Sequence, residues 1–144
     1  MNTLKSASTD YLLESGLESL HEQSMEWISD IAFWRDELAF LYALEVKKTL
    51  KEVPVHAKNK LVYIESELLK LSSGDIDGLY DEVVAHERFL NKLLESRKED
   101  EASYREKHIQ ITNKVADFFF RFKALKKEIF EIVKQNKEAN SVKL

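Results

Sequence analysis

Cysteine is absent from this chain of 144 residues, proline occurs once and glycine three times. Without cysteine there is no disulfide, no thiolate zinc site and no cysteine nucleophile. With so few turn-forming residues, many short strands are disfavoured and helices are expected throughout. Long apolar runs are missing as well. No stretch approaches the ~18 apolar residues of a membrane span, and the start MNTLKSASTDYLLES lacks the apolar core of a signal peptide, so a cytoplasmic protein is expected. Excess positive charge is a further absence: 26 acidic against 22 basic side chains give a net charge of −4. That balance offers phosphates no broad cationic surface, and nucleic acid is not expected as a partner. There is no glycine-rich phosphate loop, nucleophile elbow or HExxH pattern, so neither an enzyme nor a resident cofactor is expected.

What remains is 44% hydrophobic and 33% charged residues, in a length that suits one domain over residues 1–144 with its own core. From Leu17 the apolar side chains step by three and four through Leu20, Ser24, Trp27, Ile31, Trp34, Leu38 and Leu41. This 3.5-residue period marks a coiled-coil-like seam between packed helices. A capping box, Ser15 with Glu18 or Ser19 with Glu22, places the start of the first rod near Gly16. The rod is expected to run to about Lys51, where EVPVH ends it, because Pro54 suits only the first turn of a helix. Residues 1–14 are expected to fray, and His56 to sit in a solvated loop near Pro54.

The second rod reads Ala57, Leu61, Ile64, Leu68, Leu71, then Ile76, Leu79, Val83, His86, Leu90, Leu93. Each half keeps the rhythm, but the step from 71 to 76 is one residue too long. The misstep falls on SSGDIDG, where Gly74 and Gly78 weaken a helix and Ser73 or Asp75 suits the cap of a new one. After the polar link KEDEAS, Ser103 with Glu106 forms another capping pattern. The last rod then carries Tyr104, His108, Ile111, Val115, Phe118, Phe122, Leu125, Ile129 and Ile132 without a fault. It is expected to reach about Lys137, with a frayed tail over 138–144.

Two all-α architectures fit. One is an elongated antiparallel bundle of three long helices, the middle one kinked near Ser72–Gly78; it leaves no apolar seam uncovered. The other is a four-helix up-and-down bundle with a turn at SSGD. The matched rod lengths favour the first. LHEQSMEWISDIAFWRDELAFL together with IDGLYDEVVAHERFL resembles a group of small, uncharacterised helical proteins that combine an aromatic and acidic first helix with a later His-Glu pair. The resemblance implies the helical fold and supplies no activity and no catalytic residue.

Two groups of residues are candidates for function. VADFFFRFKAL puts Phe118, Phe119 and Phe122 at or beside the seam and Phe120 outward. Phe33 and Phe40 share an outer face of the first rod, with Leu44 one turn on. Either a wide core absorbs part of this stripe, or Phe33, Phe40, Leu44 and Phe120 form a patch for a second copy of the chain or for another protein's helix. The alternative function is a metal- or small-ligand-binding bundle. His86 and His108 occupy seam positions, His21 lies at the edge of the first seam, and Glu82 precedes His86 by one turn. The three-rod arrangement brings these histidines to one end, yet no Glu-x-x-His pair of the di-iron bundle proteins is present. Their bland reading is a hydrogen-bonded, partly buried place in the seam. The run WRDEL phases with Trp34 and Leu38 inward and its ions outward, so surface ion pairs account for it. Polar faces that mix both signs give no basis for an amphipathic membrane helix.

Overall fold

The computed structural model describes the backbone of residues 16–46, 58–96 and 101–142, with side chains over 16–43, 58–95 and 101–135. The described residues are helical apart from the entry at Gly16 and Leu17, and no strand occurs among them. Helix α1 spans Glu18–Phe40 and continues as a π-helical turn, Leu41–Val46. Helix α2 (Lys58–Lys70) leads through a second π-helical turn, Leu71–Asp75, into α3 (Ile76–Ser96). Helix α4 runs over Glu101–Val142. The chain is thus an all-α protein of three rods.

The misstep at 71–76 explains itself in the backbone. A π turn closes on the fifth residue instead of the fourth, so it accommodates one extra residue without ending the helix. The Ile76 N–H donates to the Leu71 carbonyl, five residues back, while Lys70 and Ile76 both keep right-handed helical angles. Leu71 and Ile76 are both buried, so the seam is recovered on each side. The hydroxyls of Ser72 and Ser73 both donate to the Leu69 carbonyl, at 3.2 and 2.7 Å. The helix therefore runs on through this segment: the Ser73 hydroxyl bends back onto its own helix, and the Asp75 carboxylate pairs with Arg121 at 2.9 Å, so neither caps a new one.

The capping boxes are corrected too. Helix α1 begins at Glu18 with Leu17 before it, the His21 N–H reaching the Leu17 carbonyl at 2.9 Å, so Ser19 stands inside the helix and not at its cap, while Ser15 lies outside the described residues. Helix α4 starts at Glu101, which puts Ser103 inside its first turn; it continues to Val142, beyond the expected end at Lys137. The expectations for residues 1–14, the Pro54 turn, His56 and the side chain of Leu44 lie outside the described residues.

Two compact units divide the chain, one formed by Met1–Ala32 with Gly78–Val115, the other by Phe33–Asp77 with Ala116–Leu144. In the first unit, Leu17, Leu90, Leu93 and Tyr104 pack as one cluster, flanked by Leu20, Phe89 and Leu94. Trp27, Ile31, Leu79, Val83, Ile111 and Val115 are buried alongside. Leu17 shares a cluster with Leu90 and Leu93 while His21, one turn on, meets Glu87, one turn back, so α1 and α3 are antiparallel here. In the second unit the core is Trp34, Leu38, Leu61, Ile64, Leu68, Leu71, Ile76, Phe118, Phe122, Leu125, Ile129 and Ile132, without a buried polar side chain among the described residues. Trp34 stacks on Phe118 with ring centres 5.5 Å apart, and the Leu41–Val46 turn packs against α2. Burying one such large apolar side chain contributes about 1.5–3 kcal/mol, whereas the exposed Arg35 to Asp77 pair beside them contributes under about 1 kcal/mol.

Candidate functional site

The heptad phase of α4 places His108 on the seam, and that of α3 places His86 there. In the first unit the two rings meet. His86 Nε2 lies 2.9 Å from His108 Nδ1, and His108 Nε2 lies 2.7 Å from Gln23 Oε1. Both imidazoles are buried. Trp27 stacks on His108 at 4.7 Å, and Tyr104 stacks nearly parallel on His86 at 4.3 Å.

The order of donors follows from Gln23. Its amide oxygen accepts from His108 Nε2–H, which leaves His108 Nδ1 as an acceptor for His86 Nε2–H. His86 Nδ1 is then a bare lone pair, buried and without a partner. The reverse order would instead bury an unpaired N–H, a rarer and costlier arrangement than an unpaired acceptor. Both rings are therefore neutral. Burial, with the neighbouring His108 ring and then the Lys107 charge adding to it, lowers the His86 pKa from 6.5 to about 4. Burial, with Arg105, lowers that of His108.

More buried polar atoms lie in the same unit. Ser24 Oγ, Tyr104 OH, Glu87 Oε1 and Glu82 Oε2 are buried and lack partners at hydrogen-bond geometry. Ser24 nonetheless lies near enough to Tyr104 to favour its ionised form, against burial and the Glu87 charge, which together push the phenol pKa up. Tyr104 stays a neutral phenol. The second oxygens of the two glutamates are engaged: Glu87 accepts from His21 Nδ1 and Glu82 from Lys114 Nζ, each at 2.7 Å.

The structure thus brings His86 and His108 into contact and leaves His21 and Glu82 on other partners. Among the described residues no three His, Asp or Glu side chains converge as a metal-binding group. Tyr104, Ser24 and Gln23 complete this polar layer. Their share in it was visible only as a serine and a tyrosine at apolar seam positions.

The second unit presents the aromatic surface. Phe33, Phe40 and Phe120 are 62%, 56% and 63% exposed. Phe118 and Phe122 are buried, while Phe119 lies between, its ring 6.0 Å from Trp34 and 5.4 Å from Phe120. Phe130, 68% exposed, belongs with them, although the seam pattern gave it no prominence. Of these rings Phe40 borders an open groove of about 460 Å³, lined also by Asp36, Glu37, Leu41 and Lys126. Lys126 bridges it, pairing with Glu37 at 3.2 Å while lying over the Phe122 ring. A smaller cleft of about 230 Å³ lies between α2 and α4, where Arg121 is held by Asp75 and Asp117.

Among the described residues no helix is long and apolar enough to cross a membrane. Comparison with protein-family models, with curated proteins and with solved structures finds no match to this chain.

Proposed function

We propose that this chain is a non-enzymatic, cytoplasmic helical protein that acts by association, with a second copy of itself or with a helix of another protein, through the aromatic face of its second unit. The observation that carries this reading is the exposure of Phe33, Phe40, Phe120 and Phe130 in one unit, with Phe119 half covered beside them. Phe33 and Phe40 are seven residues apart and share one side of α1; Phe119 and Phe130, eleven apart, share one side of α4. A single exposed ring is ordinary, but several large exposed rings in one unit, one of them bordering an open groove, present the kind of apolar surface that partner helices cover. The buried tryptophan and phenylalanine residues hold the framework, and the outer rings make the contact.

Sedimentation velocity of the purified chain tests this. The expected outcome is a species heavier than the 16.8 kDa monomer at micromolar concentration. Phe33→Glu with Phe120→Glu should return it to the monomer while leaving the helical circular dichroism intact. A wild-type monomer at every concentration would remove the self-association version; the heterotypic version would then require capture of a partner that the same double variant fails to retain.

A further inference from the structure

All of the buried polar or charged side chains among the described residues, Ser24, His86 and His108, belong to the first unit. So do the five buried side-chain atoms that lack a hydrogen-bond partner. The association face lies in the other unit and makes no use of this layer, which calls for an account of its own.

The geometry allows the two rings one protonation state. Protonating His86 at Nδ1 would place a new N–H on a buried ring nitrogen that has no hydrogen-bond partner. Protonating His108 at Nδ1 would replace the acceptor that His86 Nε2–H needs, leaving two N–H groups facing one another across 2.9 Å. We propose that this buried imidazole pair is an acid-sensitive lock on the first unit, closed while both rings are neutral and released when they take up protons.

The charged groups around the pair support this direction. From α1 come His21, engaged by Glu87, and the neutral Gln23, Ser24 and Trp27. Helix α3 contributes Glu82, paired with the Lys114 ammonium, and Glu87, hydrogen-bonded to the His21 ring. Helix α4 contributes Tyr104, held neutral, together with Lys107 and Arg105, whose charges oppose a further positive charge on His86 and on His108 respectively. Desolvation outweighs all of these. The unfolded chain takes up protons on both rings near pH 6.5, whereas the folded unit resists until about pH 4 at His86. Between those values the unfolded state binds more protons, so stability falls as pH falls from 6.5. Below about pH 4 the folded His86 is protonated as well, and its share of the loss levels off.

The experiment uses the two tryptophans, since Trp27 lies in the first unit and Trp34 in the second. Thermal unfolding of Trp34→Phe, followed by Trp27 emission between pH 7.5 and 5, should show a midpoint that falls with pH, the proton uptake on unfolding growing as pH drops below about 6.5. His86→Leu with His108→Leu should flatten that dependence to the residue left by the other titrating groups. An unchanged slope in the double variant would overturn the proposal. A second measurement on the wild-type chain guards against a variant that fails to fold. In a proton NMR titration of the native protein, the His86 ring should stay neutral at pH 5.5; a ring that titrates near 6.5 while the chain remains folded would equally overturn the lock.

Discussion

Gly16 and Gly78 meet the same substitution with opposite results. Gly16 adopts φ +75°, in the left-handed region where a side chain collides with its own backbone, although the space around it is adequate, the nearest atom to an added Cβ being Arg105 Nη2 at 3.8 Å. Gly78 is inside α3, and an added Cβ there meets nothing within 4 Å. Gly16→Ala should therefore cost roughly 1 kcal/mol, and Gly78→Ala should add about 0.5–1 kcal/mol, both read from urea midpoints. At the same scale, the gap between the ordinary histidine value and about 4 at His86 links on the order of 3 kcal/mol of stability to the neutral ring. Hydrophobic replacement of the pair removes that dependence on acid, whereas truncating one member strands its neighbour without a partner.

The element that decides the architecture is the π turn at Leu71–Asp75. Deleting Ser73 shortens the step from Leu71 to Ile76 by one and restores the 3.5-residue rhythm, so the shortened chain should keep its fold with a stability change within about 1 kcal/mol. Deleting Ser66 within α2 instead turns the buried Leu61 and Ile64 by about 100° relative to Leu68 and Leu71, and should cost more than about 3 kcal/mol. Thermal denaturation of the two deletions side by side checks both. Much of this was legible in the sequence. The seam residues from Trp27 to Ile132 reveal themselves because a helix interior repeats every three or four residues, and burial follows that repeat. The surplus residue was legible as a fault, but Ser73, Gly74 and Gly78 are equally at home in a turn, so only the backbone distinguishes a widened coil from a break. Ser103 and Ser19 misled for a related reason: a Ser-x-x-Glu pattern is favourable at a cap and still permitted within a helix. The contact of His86 with His108 required the alignment of α3 against α4, which a single-helix pattern does not carry, and Phe130 escaped because an outward ring leaves no mark on the seam.

For the whole molecule, the two units differ in what they bury. The first encloses histidines, a serine and a tyrosine hydroxyl; the second encloses hydrocarbon and aromatic rings and displays its phenylalanines outside. Association and acid response are therefore expected to separate. Phe33→Glu with Phe120→Glu should abolish association, read by sedimentation, and leave the acid midpoint of Trp27 emission unmoved. His86→Leu with His108→Leu should do the reverse at neutral pH. An effect of either pair on both readouts would contradict the division. The widened coil has a consequence of another kind. Most rods of this sort are intolerant of any gain or loss in length, since everything beyond the edit is rotated out of place. Here the middle rod already carries slack, wound into the helix and fastened by two hydroxyls to one carbonyl, so this is the address in the chain where a change in residue number can be survived.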